Sequence, residues 1–257
     1  MLVMAQMASP LVIAFATYSR IPTPRVDWSE ENRRYSLCFF PLIGVVIGLL
    51  MAAWLYLCDA LGVGPVLRGA FGAVIPLLIT GGIHMDGFMD VSDALSAWQT
   101  KERRLEILKD SHVGAFAVMH CAMVLLMMVG LLSEAAAQDA PLLGACFVFS
   151  RAMSAWTSVR FKGARQDGML RSFTQAAGRR AVTVCSAAYA MICLIVWGME
   201  GGYLVLALIG AAVLCTLYYR HMAYTQFGGV TGDLAGWLLQ ITELTLIAVI
   251  IIGGRII

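Results

Sequence analysis

Long apolar runs, separated by short polar connections, make up most of the chain. The runs fall at about 36–58, 65–82, 113–132, 142–159, 181–198, 202–220 and 234–252. Each is close to the roughly 20 apolar residues that a helix needs to cross a bilayer. Because backbone polar groups in lipid must be hydrogen-bonded within the segment, these runs should be helical. The pattern predicts an all-α, polytopic integral membrane bundle of about seven transmembrane helices.

The N-terminal segment is also apolar, but it is interrupted by Gln6 and Pro10. It is short for a full crossing, and it lacks the basic start and small-residue cleavage site of a signal peptide. We expect it to stay on the protein as an interfacial or re-entrant helix, with a full crossing as the alternative. Since the connections are too short for a separate globular unit, residues 1–257 are predicted to form one membrane-embedded domain.

The composition supports the membrane assignment and limits other functions. The chain is 60% hydrophobic and 13% charged, whereas an ordinary soluble domain carries roughly a quarter charged residues. A formal net charge of +2 gives no reason to expect nucleic-acid binding. The seven cysteines are scattered through apolar stretches without a C-x-x-C motif, so we expect buried free thiols.

The cationic residues predict the orientation of the bundle. Of the 18 Lys and Arg, 15 fall at residues 19–35, 81–111 and 159–181 or at Arg220, which are alternate connections. The intervening loops carry acids such as Asp59 and almost no cations. By the positive-inside rule, the cationic connections face the cytoplasm.

Four polar segments share that predicted cytoplasmic side. They are an aspartate cluster at 86–93, a basic stretch at 101–110, a basic loop at 160–180 and a glycine-rich segment at 227–233. Segments that meet at one end of a bundle can build a single site. No internal repeat is found, which disfavours the inverted-repeat architecture of many transporters.

The stretch GGIHMDGFMDVSD carries three aspartates within eight positions. If residues 84–97 are helical, Asp86, Asp90 and Asp93 lie four and three residues apart and share one face. Carboxylates that are close together repel unless a cation neutralises them, and their hard oxygen atoms suit Mg²⁺ or Mn²⁺. The alternative is a solvated helix start, where acids favour the positive end of the helix dipole. Metal binding explains all three acids better.

Two neighbours of the aspartates are further candidates for contact with the substrate. A glycine inside a helix reduces its stability, so Gly87 is predicted to allow close packing of substrate against the backbone. His84 is predicted to contact substrate phosphate or to hydrogen-bond the cluster rather than to bind the metal.

The stretch KERRLEILKDSHVGAF places cations and a further acid at the membrane surface. Phosphoryl transfer depends on positioning and on neutralising the charge of phosphate oxygens. The candidates in this stretch are Arg104, Lys109, Asp110 and Ser111. Ordinary positive-inside anchoring is the alternative, and it explains the other two cations of the stretch well.

The stretch FGGVTGDLAG precedes the last apolar run. Its Thr231 and Gly232 can offer backbone N–H groups to an anion, and Asp233 can add a metal ligand. Inside predicted spans, Glu243 and Arg151 are functional candidates because ionisable groups are costly in lipid. Either they pair with each other as structural partners, or they contact substrate.

Four motifs, in their order and spacing, resemble the cobalamin synthase family, the adenosylcobinamide-GDP ribazoletransferases. They are RIPTP, GGIHMDGFMDVSDAL, RRLEILKDSHVGAF and GGVTGDLAGWLLQITE, and the resemblance covers about residues 15–245. It implies the last step of coenzyme B12 nucleotide-loop assembly. Adenosylcobinamide-GDP and α-ribazole, or its 5′-phosphate, would give adenosylcobalamin, or its 5′-phosphate, with release of GMP. It also implies Mg²⁺ dependence and a multi-pass protein of a prokaryotic cytoplasmic (inner) membrane.

Residue by residue, the resemblance assigns the acidic motif to Asp86, Asp90 and Asp93. The family's Lys-Asp-Ser motif falls on Lys109, Asp110 and Ser111, and its Thr-Gly-Asp motif on Thr231, Gly232 and Asp233. In the basic loop, Arg165 is the predicted substrate-binding arginine, with Arg160 as the alternative.

The reaction expected from these assignments is an in-line displacement assisted by Mg²⁺ on the aspartates. Lys109 would stabilise charge, and Asp110 or one of the cluster would take the proton. The sequence leaves a homo-oligomer open.

Two rival functions fit less well. A CDP-alcohol phosphotransferase would need D-G-x-x-A-R, but Asp86-Gly87 is followed by Phe88-Met89-Asp90-Val91, with no Ala-Arg. A cation or vitamin transporter would place its carboxylates near the bilayer midplane, whereas these lie at predicted span ends.

Overall fold

The structure, a computed structural model, describes residues 2–164, 174 and 178–255. Apart from one isolated bridge, these residues contain helices and connections and no strand. The helices are α1 (Leu2–Tyr18), α2 (Glu30–Arg33), α3 (Ser36–Leu61), α4 (Pro65–Thr80), α5 (Ile83–Ser96), α6 (Lys101–Ile107), α7 (Ala115–Ser133), α8 (Ala140–Arg160), α9 (Arg179–Gly201), α10 (Leu204–Met222) and α11 (Gly232–Ala248). The all-α class is confirmed.

Within the described residues, six helices are long and apolar enough to cross a membrane. They are α3, α7, α8, α9, α10 and α11, and they match six of the seven predicted runs to within a few residues. Helices α10 and α11 continue through short π-helical turns at Ala223–Phe227 and Val249–Gly253. The seven cysteines are free and buried or half-buried, as expected.

The predicted run at 65–82 differs from a simple span. Helix α4 ends at Thr80, and α5 starts at Ile83 and leaves at 97° to it. The corner is made by Gly81 and Gly82, whose φ angles of 65° and 79° lie in the left-handed region that glycine adopts without strain. Only if the bent pair is taken as one broken span does the count reach seven. The corner turns the aspartate-bearing helix across the bundle.

The N-terminal helix α1 is shorter than the six spans. Its apolar part, Ser9–Tyr18, is too short to count among them. The backbone N–H of Arg20 donates to the carbonyl of Ile79 at 2.7 Å, which ties the end of α1 to the end of α4.

The bundle is built around α8, which packs against α3, α9 and α11. The α3–α8 contact is close because two glycines spaced i,i+4 face it. A Cβ at Gly44 would lie 2.3 Å from the carbonyl oxygen of Phe147, and one at Gly48 would lie 2.9 Å from Cα of Gly144. Small residues at this spacing let helix backbones approach in membranes.

We expect the Gly44→Ala substitution to destabilise the bundle. The added methyl group must push α8 away, at a cost of about 1–3 kcal/mol. Gly130→Ala on α7 is the matched control, because a Cβ there meets nothing within 4 Å. Thermal unfolding of both variants in detergent measures the difference. Equal midpoints would contradict the close-packed α3–α8 contact.

The end of the bundle away from α5 carries its own ion pairs. Arg68 binds Asp59 at 2.7 Å, and Arg255 pairs with Glu134. Asp59 also accepts the backbone N–H of Ala137 at 3.0 Å. Arg68, in the first turn of α4, and Arg255 are two of the three cations outside the predicted cytoplasmic group, and both are matched by acids at the opposite end.

Candidate functional site

Helices α5 and α11 form the floor of the site. A Cβ at Gly87 would lie 2.8 Å from Cα of Asp233, and a Cβ at Gly236 would lie 3.1 Å from the carbonyl oxygen of His84. Rising residue numbers on α5 thus face falling numbers on α11, so the helices run antiparallel in close contact. The backbone that approaches Gly87 is that of Asp233.

This contact gathers the predicted acids. Helix α5 confirms the helical spacing assumed for its aspartates. Asp86 is exposed and Asp90 is half-buried, and Asp86, Asp233 and Asp93 each lie close enough to Asp90 to repel it electrostatically. Residues about 140 positions apart in sequence are therefore brought to one acidic patch. A bound cation would relieve this repulsion.

Asp93 has a structural task within the patch. Its carboxylate accepts the backbone N–H of Gly114 at 2.5 Å and that of Ala117 at 2.9 Å. These groups lie at the start of α7, where N–H donors lack partners inside the helix. Asp93 therefore caps α7 from a neighbouring helix. Its predicted role as a metal ligand stays a prediction.

The donor set of the patch suits Mg²⁺. Across the described residues, no three His, Cys, Asp or Glu side chains converge as a ready-made metal site. Magnesium, however, is usually held by one or two carboxylates together with substrate phosphates. Asp86, Asp90 and Asp233 offer hard carboxylate oxygens of the kind this ion requires.

His84 lies under the patch. It is 5% exposed, and its ring packs against Tyr18 and Phe40, with centroids 6.3 Å and 5.5 Å away. Within the described residues, neither ring nitrogen has a hydrogen-bond partner. The structure thus places His84 in the core beneath Asp86, and its substrate contact stays a prediction.

The segment after α5 holds the second group of candidates. Arg104 donates to the carbonyl of Ala94 at 3.2 Å and to the side-chain oxygen of Gln226 at 2.5 Å. It therefore ties α6 to the end of α5 and to the turn that follows α10. The sequence did not identify Gln226, because nothing local marks this half-buried glutamine as a partner.

The Lys-Asp-Ser motif lies in an exposed connection. Lys109, Asp110 and Ser111 are all exposed. Asp110 accepts the backbone N–H of His112 at 3.0 Å and contacts its ring nitrogen at 2.6 Å. These hydrogen bonds lower the pKa of Asp110. Because a lower pKa makes a weaker base, Asp110 is less suited than the patch to take a proton.

The glycine-rich segment joins the start of the basic loop to the patch. The backbone N–H of Val230 donates to the carbonyl of Lys162, and that of Ala164 donates to the carbonyl of Val230, both at 2.9 Å. Thr231 caps α11 by accepting the N–H of Leu234 at 3.2 Å, and Gly232 is the first residue of that helix.

Of the two candidate arginines of the basic loop, the structure describes only Arg160. Arg160 is the last residue of α8 and is exposed. Arg165 lies outside the described residues. The beginning of the basic loop nevertheless reaches the patch, which agrees with the predicted convergence of these segments.

The intramembrane charges pair with each other. Arg151 binds Glu243 at 2.6 Å, and both side chains are 1% exposed. Ser150 donates a second hydrogen bond to the same glutamate oxygen at 3.0 Å. This geometry favours the structural alternative.

A cavity of about 880 Å³ adjoins Asp86. It lies between the end of α1, the end of α4 and the start of α5, and Arg20 lines it. Arg20 begins the RIPTP motif but is absent from the predicted site residues. The available signal was a single arginine at the end of an apolar segment, which positive-inside anchoring explains equally well.

The contact between α5 and α11 makes a testable prediction. Gly87→Ala must displace Asp233 from the other acids. A displacement of about 1 Å can lower a rate by up to about a hundredfold. We expect this loss in turnover together with a lower thermal midpoint, because the clash is with backbone as it is at Gly44, and we expect Gly210→Ala, where a Cβ meets nothing within 4 Å, to behave as the unsubstituted protein. Full activity in the Gly87 variant would mean that Asp233 is not part of the reacting site.

Comparison with known proteins gives a consistent result. A family model described as cobalamin-5-phosphate synthase matches residues 10–251. A protein of Lachnoclostridium phytofermentans is 44% identical over 96% of this chain and 95% of its own. One of Geobacillus thermodenitrificans is 34% identical over 92% and 93%, and one of Clostridium perfringens is 28% identical over 91% and 93%. All three are named adenosylcobinamide-GDP ribazoletransferase. No solved structure matches the chain.

Proposed function

Because the chain belongs to the cobalamin-5-phosphate synthase family, we propose that the acidic patch is the active site of an adenosylcobinamide-GDP ribazoletransferase. The observation that carries the proposal is the convergence of Asp86 and Asp90 with Asp233 at the α5–α11 contact. The substrates would be adenosylcobinamide-GDP and α-ribazole or its 5′-phosphate. The family assignment also sets aside the CDP-alcohol phosphotransferase and transporter alternatives.

The transfer is a displacement at phosphorus. The ribazole hydroxyl oxygen forms a bond to the phosphorus that carries cobinamide, and the bond from that phosphorus to the bridging oxygen breaks. GMP leaves with the electron pair of the broken bond. The hydroxyl proton passes to a carboxylate of the patch, for which Asp90 is the best placed because it is half-buried among other acids.

Asp86 and Asp233 would hold Mg²⁺, which leaves the carboxylate of Asp90 to accept the proton. When bound, the ion would neutralise charge on the pyrophosphate oxygens and so stabilise the departing GMP. Asp93 would keep α7 and α5 in register through the two backbone groups that it accepts. Lys109, Arg104 and the described start of the basic loop, with Arg160 and Lys162, lie at the same end of the bundle and would supply the cations that phosphoryl transfer needs.

The site would face the cytoplasm, in a cytoplasmic (inner) membrane. The cationic connections at residues 19–35, 81–111 and 159–181 support this orientation through the positive-inside rule. A cytoplasmic opening would also give access to a corrinoid that is much larger than an ordinary ligand.

Purified protein in detergent tests the proposal and the metal together. With adenosylcobinamide-GDP and α-ribazole, we expect GMP release in Mg²⁺ buffer, its loss on chelation and its return when Mg²⁺ is added. No GMP in any condition would reject the reaction. Undiminished release after chelation would retain the reaction and reject the metal.

A further inference from the structure

The cavity beside Asp86 has two charged residues of opposite sign. Arg20 and Asp86 both line it and both are exposed. Within the described residues, the guanidinium of Arg20 makes no hydrogen bond or ion pair; only its backbone is bonded, to Ile79. Its side chain crosses the corner at Gly81, where a Cβ would lie 2.3 Å from Nε of Arg20. The corner therefore positions an available cation over the cavity.

The other polar groups of the cavity are already occupied. The hydroxyl groups of Thr17, Ser19 and Thr80 each donate to a backbone carbonyl of their own helix or its end, at 2.7, 2.7 and 2.8 Å. Their protons are thus unavailable to a ligand. The rest of the lining is mainly aliphatic and methionine side chains, including Leu78 and Met89. Ligand atoms that need a hydrogen-bond donor would therefore find few in such surroundings, and leaving them without a partner is costly.

This lining selects a particular ligand chemistry. The ligand needs an anionic group for the guanidinium, a hydroxyl group that can face Asp86, and an apolar body for the walls. Arginine is well suited to phosphate because its planar fork makes two parallel hydrogen bonds. The volume lies within the roughly 300–1,000 Å³ of small-molecule sites and is too small for a corrinoid with its nucleotide.

We propose that this cavity binds the acceptor nucleotide, with its 5′-phosphate on Arg20, its apolar base on the aliphatic wall and its ribose hydroxyl toward Asp86. This rests on the proposed function, which supplies an acceptor of that class. Guanosine is a poorer occupant because O6 and N7 of guanine need hydrogen-bond donors, and the hydroxyl protons of Thr17, Ser19 and Thr80 are already donated to backbone carbonyls. Leu78 is 68% exposed and lies on the outer face of α4, so the same chemistry also fits an anionic lipid headgroup.

The phosphorylated and unphosphorylated acceptors separate these occupants. In Arg20→Gln, we expect KM for α-ribazole 5′-phosphate to rise about tenfold or more. KM for α-ribazole and KM for adenosylcobinamide-GDP should stay unchanged. In Arg20→Lys, which keeps the charge but not the planar fork of the guanidinium, KM for α-ribazole 5′-phosphate should lie between that of the unsubstituted protein and that of Arg20→Gln. Arg25→Gln is the matched control, because Arg25 is an exposed cation in the same connection and does not line the cavity.

Other outcomes overturn the proposal. An equal rise for both acceptors, or a rise in KM for the donor, would assign Arg20 to a different group. If activity requires phosphatidylglycerol in phosphatidylcholine vesicles and Arg20→Gln removes only that requirement, the cavity binds lipid. Unsubstituted protein that releases no GMP with either acceptor would reject the proposed function itself. If the thermal midpoints of the Arg20 variants equal that of Arg25→Gln, misfolding is excluded as the cause of a change in KM.

Discussion

Replacing Asp90 by asparagine is expected to lower the rate of GMP release by about 10²- to 10³-fold, the size of effect seen when one electrostatic contact to the reacting group is removed. Asparagine preserves the volume of the side chain but removes its charge and its ability to take a proton. Because Asp90 is repelled by Asp86, Asp233 and Asp93, removing its charge should not destabilise the fold. The measurement is single-turnover GMP release at saturating Mg²⁺.

Two further substitutions separate catalysis from structure. Asp59→Asn removes a carboxylate at the opposite end of the bundle and should leave the rate unchanged. Asp93→Asn replaces one of the two oxygen atoms that accept backbone N–H groups at α7 by an NH₂ donor, so a loss of about 0.5–2 kcal/mol in stability is expected. If Asp90→Asn and Asp59→Asn have the same rate, the acidic patch is not the reacting site.

Replacing Arg151 by methionine is expected to cost about 3–5 kcal/mol of stability, the usual result of leaving one member of a buried ion pair without its partner. Glu243 would then lie in the core with only Ser150 donating to it. The double substitution Arg151→Met with Glu243→Leu should recover most of the loss, because neither charge remains. The stability of both variants is measured by unfolding them in detergent while the loss of the helical signal is monitored.

The double variant also resolves the alternative left open by the sequence. A folded protein with normal GMP release would establish Arg151 and Glu243 as structural partners. A folded but inactive protein would show that the pair acts on substrate, in spite of its 1% exposure. A double variant as unstable as the single one would contradict the ion-pair explanation.

The sequence predicted the spans well because lipid makes composition decisive. A run of about 20 apolar residues in a bilayer has few structures available other than a helix. The run at 65–82 is helical as predicted, but the corner at its end was not foreseen, because two glycines are compatible both with a continuing helix and with a corner. Their positive φ angles are set by how α4 and α5 pack, which hydropathy does not record.

The site was only partly predictable for a related reason. The spacing of Asp86, Asp90 and Asp93 correctly indicated one helical face, but the role of Asp93 depends on the start of α7, which lies 21 residues away. Arg20 was missed because a cation at the end of an apolar segment satisfies the positive-inside rule without further function. Its place over the cavity follows from the docking of α1 on α4, a tertiary contact.

The pairing of α5 with α11 has a consequence for biosynthesis. Asp86 is made well before its partner Asp233, which lies in α11. A nascent chain could therefore insert most of its helices while its acids remain separated. Catalytic competence would arise only once α11 has been made. A chain that terminates before α11 would occupy the membrane as an inert protein, so early stop codons should abolish the activity as completely as loss of the gene.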